Sequence, residues 1–262
     1  MPPITRVVKI LLILNIAIFA LGYFLKIELG NLFGLRNFIS PQFNVVQIIT
    51  HVFIHANFSH LLSNMFALFM FGPMVERALG EAKFIVFYLI CAIGAAMLFS
   101  AVSYWEISQL QQGAEFYLLH PSPDNFLKFI IDFGPQLKSQ LLPFINDFSK
   151  QPLNTAYIEE ANEFVKSMVF SELNQPMVGA SGAIFGILMG FAYLFPNVKL
   201  MLLFPPIPLK AKYFIAIYAV IELFAGVRPS AGDNVAHFAH IGGMVFAFVL
   251  LKIWNINRNT FY

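Results

Sequence analysis

The sequence predicts an all-α membrane protein: a bundle of six transmembrane helices with a long extracytoplasmic insertion between spans three and four. Three observations carry this. The 262 residues are 58% hydrophobic and only 11% charged, where a soluble domain is about 45–50% apolar and about 25% charged. Apolar runs recur at roughly 6–25, 58–79, 83–103, 181–196, 212–227 and 236–255, against the about 20 residues needed to cross a bilayer. Lys and Arg fall unevenly around these runs, as they do in oriented membrane proteins.

The first run follows a charged start, M-P-P-I-T-R-V-V-K. It lacks the short core and small-residue cleavage site of a secretory signal, so it reads as a retained span. With the N-terminus inside, the inner side collects Arg6, Lys9, Arg77, Lys83, Lys199, Lys210, Lys212, Lys252 and Arg258. The short outer loops hold Lys26, Arg36 and Arg228. Both termini are therefore expected inside. Spans four and five are short, which suits helices that reach membrane depth through protein-lined space. The loop F-P-P-I-P-L-K, Phe204 to Lys210, is a proline-stiffened inner connection.

Residues 104–176 form the insertion. Tyr157, Ile158, Ala161, Phe164, Val165, Met168 and Val169 recur with helical spacing. Pro135 and Pro143 are expected to break the segment into short pieces. The reading is a set of amphipathic helices resting on the membrane surface or on the spans, within one membrane domain covering 1–262. About 70 residues make a marginal separate core.

A net charge of +2 without a basic cluster gives no reason to expect nucleic acid. The single cysteine, Cys91, excludes an intramolecular disulfide. Stability must come from helix packing in the lipid bilayer.

Five of the six histidines lie in two places: His51, His55 and His60 around the start of span two, and His237 and His240 at the start of span six. Polar groups at membrane depth usually face the bundle interior or a cavity. Spans two, four and six all run from outside to inside. His60, Ser181 and His240 each fall in the first turns of their span, so all three sit at similar depth. Asn64 lies one turn below His60 on the same face.

Ser181 sits in V-G-A-S-G-A-I-F-G, Val178 to Gly186. One reading is a packing serine among small residues. The other is a nucleophile, activated by a contacting histidine base. A serine at a helix start has unpaired backbone N–H groups beside it, which suit a developing oxyanion. Other chemistries fit less well. The G-x-S-x-G elbow requires glycine at Ala183. The zinc-protease H-E-x-x-H pattern fails at Val52. Haem held by histidines would leave Ser181 and Asn64 unexplained. Neither a metal nor another cofactor is expected. No broken-helix repeat supports a transporter.

Three motifs, G-A-S-G-A-I-F-G, A-H-I-G-G at Ala239 to Gly243 and H-x-x-x-N at His60 to Asn64, resemble those of rhomboid intramembrane serine proteases. They occur in the right order, and the resemblance covers all six spans. F-G-P-M-V-E-R-A-L-G, Phe71 to Gly80, is also similar to the end of that family's second span. The resemblance implies Ser181 as nucleophile and His240 as base, with His60 and Asn64 supporting the oxyanion together with backbone N–H groups near Ser181. It implies cleavage of single-pass membrane proteins in or near their transmembrane segment. The placement it suggests is a bacterial inner membrane with cytoplasmic termini. The alternative within the family is a non-catalytic protein that binds client helices.

Two positions depart from the family pattern. Phe185, one turn after Ser181, replaces a frequent tyrosine that packs on the base. Ala247 replaces a glycine. His237, three residues before His240, competes for the role of base but reads as a rim residue. His51 and His55 read as braces for the loop after span one. Asp233 and Asn234 read as a cap for span six. Glu222, near the outer end of span five, reads as an interfacial or paired carboxylate. The simplest mechanism is a Ser181–His240 dyad without a carboxylate.

Overall fold

The computed structural model describes residues 3–201, 207–227 and 235–256. In order, its helices are α1 (Arg6–Leu25), α2 (Leu29–Phe33), α3 (Gln47–Thr50), α4 (Phe58–Leu79), α5 (Glu81–Leu119), α6 (Pro123–Phe133), α7 (Lys138–Lys150), α8 (Thr155–Asn174), α9 (Ser181–Leu194), α10 (Ala211–Val227) and α11 (His237–Ile253). Strands β1 (Lys199–Met201) and β2 (Pro208–Lys210) pair antiparallel between α9 and α10. β2 is the end of the expected proline-stiffened connection; its residues 204–206 lie outside the described residues. The chain divides into two compact units. The first comprises 1–36, 43–100 and 176–262, the second 37–42 and 101–175.

Three of the described helices are long and apolar enough to cross a membrane: α1, α4 and α5. Two shorter apolar helices are α9 and α11. The protein is an integral membrane protein. Exposed Ile10, Ile13, Ile16 and Phe24 on α1, and Ile217, Val220 and Phe224 on α10, are side chains that hydrocarbon accepts at no cost. α9 is different: twelve of its 14 residues are buried. At about 1.5 Å per residue it rises about 21 Å, less than the roughly 30 Å of hydrocarbon.

Small residues let the helices of the first unit approach. A methyl group built on Gly243 would lie 1.9 Å from the Gly182 carbonyl oxygen. One on Gly182 would lie 2.3 Å from the Ala95 Cβ, and one on Gly186 2.5 Å from Cys91. Ala247 is completely buried beside them. Backbone-to-backbone contact of this kind is the usual basis of helix association in lipid.

A second device ties α1 to α4. Thr5 precedes α1 but its side chain makes no cap within its own helix. Instead Glu76, buried near the end of α4, accepts from the Thr5 hydroxyl at 2.5 Å, the Val7 N–H at 3.1 Å and the Val8 N–H at 2.9 Å. A carboxylate there meets both the unpaired N–H groups and the positive end of the helix dipole. α4 itself starts conventionally, with the Asn57 side chain accepting from the His60 N–H at 2.8 Å. It stops at Gly80, whose φ of 78° is left-handed territory, and α5 begins at the next residue.

The sequence places the end of the third span near 103, but α5 continues to Leu119. The composition loses hydropathy there without losing helix-forming residues, and no proline intervenes. Beyond it, Ser122 caps α6, accepting from the Asn125 N–H at 3.2 Å. Pro135 starts a short 3-10 turn as expected of a breaker. Pro143 does not break anything and lies inside α7. Ring packing of Phe144 and Phe148 on Tyr157, at 5.8 and 6.1 Å between centroids, outweighs the one missing backbone bond. The second unit has its own core of Leu110, Tyr117, Phe126, Ile130, Phe148 and Val165. The seven-residue stripe of α8 joins this core. The apolar faces of these helices are buried on one another.

Glu76→Ala leaves three donors without their acceptor. It should destabilise the protein by about 2 kcal/mol or more, read as a lowered unfolding midpoint in detergent, while the α8 stripe stays protected from hydrogen exchange.

Candidate active site

The chain reaches Ser181 under tight control. Leu35 and Met177 exchange two backbone hydrogen bonds of 2.8 Å each. The Gly179 N–H donates to the His51 carbonyl at 2.9 Å. Gly179 has φ 123°, and a Cβ there would lie 2.6 Å from the His60 ring. Glycine is required twice over, by conformation and by space. Ser181 then opens α9. Ile184 N–H is bonded to the Ala180 carbonyl at 3.0 Å; by the geometry of a helix start, the N–H groups before it are directed out of the helix.

His240 lies in the first turn of α11 and is buried. Its Nε2 is 2.9 Å from Ser181 Oγ. Its ring stacks on Phe185, with centroids 4.0 Å apart and planes 6° from parallel. The substitution of phenylalanine for tyrosine therefore keeps the stack. The Gly182–Gly243 contact lies one residue beyond Ser181 and three beyond His240, which sets the approach of the two side chains.

The remaining expected residues fall into two groups. The His237 Nδ1–H donates to Glu222 Oε2 at 2.7 Å. The His240 Nδ1–H donates to the same oxygen, also at 2.7 Å. The expected dyad without a carboxylate thus has one in direct contact. Glu222 is 7% exposed, a buried carboxylate inside α10 paired to two imidazoles. The signal that could have found it is the depth argument itself: the outer end of span five lies level with the start of span six. His60 lies against Gly179, two residues before Ser181. Asn64 is buried, and its amide donates to the His60 carbonyl at 2.9 Å. No described hydrogen bond joins either His60 or Asn64 to Ser181. Asp233 and Asn234 lie outside the described residues.

Glu222, His237 and His240 have ligand atoms within 4.8 Å of one another and are the described residues that could hold a metal ion. Both nitrogens involved already donate protons to the carboxylate, so an ion would have to displace two protons.

His51 and His55 brace the entry to the site. The His51 carbonyl holds Gly179, and its Nδ1–H donates to the Gln47 carbonyl at 2.8 Å. The His55 ring meets His60 edge-on at 5.2 Å. Burial pushes both imidazoles down to about 4 from the ordinary 6.5, assisted at His55 by the nearby His60. Both are neutral in the folded protein.

The architecture and the site define a class: an integral membrane protein that brings a serine at a buried helix start against a histidine on a neighbouring helix. Residues 42–109 and 161–255, more than half of the sequence, match the Rhomboid domain. The chain belongs to the rhomboid family. It is similar to the mitochondrial Rhomboid protein 1 of Saccharomyces cerevisiae, with 26% identity over 81% of this chain and 42% of that protein. It is similar to the mitochondrial RHOMBOID-like protein 12 of Arabidopsis thaliana, with 24% identity over 82% of this chain and 48% of that one. A shorter match, 44% identical over 21% of this chain and 20% of its partner, is to the rhomboid protease AarA of Providencia stuartii. The chain spans less than half the length of these three relatives. With mitochondrial relatives beside a bacterial one, the expected bacterial inner membrane draws no support from them. The unmatched residues 110–160 fall in the second unit.

Two outcomes follow. Neutral burial of His51 and His55 gives stability that is full above pH 6.5 and lost as pH falls from 6.5 through about 4, because the unfolded chain binds the protons first. Melting temperature in detergent should fall over that window, and less steeply in a His51→Gln, His55→Gln double variant. Gly243→Ala forces its methyl into the Gly182 carbonyl and should cost about 3 kcal/mol, seen in the same melting experiment.

Proposed function

We propose that the protein is an intramembrane serine endopeptidase that cleaves single-pass membrane proteins in or near their transmembrane segment. The observation that carries this is the 2.9 Å contact between Ser181 Oγ and His240 Nε2, within a chain of the rhomboid family. The likeness to a relative named as a protease supports it. The fuller architecture is part of the proposal: six spans, both termini on the inner side, and the second unit's helices outside as an insertion between spans three and four.

In the reaction, His240 Nε2 takes the Ser181 hydroxyl proton as Oγ attacks the scissile carbonyl carbon. The carbonyl oxygen becomes an oxyanion. Backbone N–H groups at the start of α9 stabilise it, with side-chain donors from His60 and Asn64. The imidazolium returns its proton to the leaving amine, the C–N bond breaks, and an acyl-enzyme on Ser181 remains. Water, deprotonated by His240, then attacks the acyl carbon and frees the second product and the serine. Phe185 keeps the imidazole plane fixed through the cycle. An amide inside a helix is shielded by its own hydrogen bonds, so the substrate must unwind locally, and helix-weakening residues near the cut favour this.

A fluorophosphonate probe tests the reading. The wild-type protein in detergent should be labelled, Ser181→Ala should not, and His240→Ala should label at least about 100-fold more slowly. A wild-type protein that folds and takes no label would instead mark a client-binding member without hydrolytic chemistry.

A further inference from the structure

We infer that Glu222 is a positioning residue that sets the tautomer of His240, so that the site works as a Ser181–His240–Glu222 relay held by His237. The inference rests on the proposed hydrolytic role of Ser181. A carboxylate only accepts hydrogen bonds. Glu222 Oε2 lies 2.7 Å from the His240 Nδ1, so that nitrogen carries the proton. The neutral ring then has its lone pair on Nε2, the atom 2.9 Å from Ser181 Oγ. This is the one neutral tautomer that can accept the serine proton. When it does, the new imidazolium faces a carboxylate that neutralises it.

The second donor has a separate purpose. A buried carboxylate with a single partner could rotate towards any other donor. The His237 Nδ1–H holds the same Oε2 at 2.7 Å and comes from the same first turn of α11. The two imidazoles therefore clamp one oxygen between them, and Phe185, stacked on His240 at 4.0 Å, prevents that ring from turning away. Glu222 does not touch the reacting atoms and acts only through His240.

The test uses the full chain with Glu222→Leu, Glu222→Gln and Glu222→Asp. Leucine removes the acceptor at similar volume, and the proton then shifts to Nε2, where it blocks the serine. Fluorophosphonate labelling of Ser181 should slow by about 100-fold or more in Glu222→Leu. Glu222→Gln keeps an acceptor oxygen without the charge and should fall in between, and Glu222→Asp should recover part of the wild-type rate. Nitrogen-15 histidine spectra of the same proteins should show His240 protonated on Nδ1 in the wild type and on Nε2 in Glu222→Leu. Labelling at the wild-type rate in folded Glu222→Leu, or an Nε2-protonated His240 in the wild type, overturns the inference. Loss of label in the wild type with the Nδ1 tautomer intact would count against the hydrolytic reading and leave the positioning role standing. If Glu222→Leu fails to fold, the Gln and Asp variants decide by the same two readouts.

Discussion

The backbone contact between Gly182 and Gly243 is the constraint on which the site depends. Neither α9 nor α11 can shift along the other without bringing a side chain into that contact. Ser181 and His240 are attached on either side of it by one and three residues, so their separation is inherited from a steric limit and not from their own hydrogen bond. Ala95 and Cys91 also press on α9, and twelve of its 14 residues are buried. A hydrogen bond between a hydroxyl and an imidazole is weak and easily exchanged for water. Mounted on a rigid contact, it becomes a stable feature.

Two carboxylates are buried in the first unit, and both are satisfied by donors from another helix. Glu76 takes a hydroxyl and two backbone N–H groups of α1; Glu222 takes two imidazoles of α11. An ion in a low-dielectric interior costs several kcal/mol unless hydrogen bonds replace its hydration, and each of these sites supplies them. The outcomes differ because the donors differ. Backbone N–H groups never titrate, so Glu76 is purely structural. Imidazoles can exchange protons, which is the property that the proposed role of Glu222 draws on.

Much of this was legible in the sequence. The meeting of Ser181, His240 and Phe185 was legible because each motif is local and the small residues around it report close packing. The α8 stripe was legible because its period is that of a helix, although the surface it covers was not: a stripe states that a face is buried and is silent about what buries it. The extension of α5 to Leu119 was missed because hydropathy measures the solvent a helix prefers, while helix propensity continued past 103. Glu222 and Glu76 were hard to read for another reason. Their partners lie 18 and 71 residues away, and no local pattern encodes a pairing that only the fold creates.

The Glu76 contact also has a meaning in time. The first helix emerges about seventy residues before the carboxylate that completes its end. Until α4 is made, the opening N–H groups of α1 have no side-chain acceptor of their own and remain an unfinished terminus at the membrane boundary. Completion comes only when the second hydrophobic helix has been delivered alongside with its far end at the same level. The contact therefore rewards one pairing of α1 with α4, in one register, before α9 has been synthesised.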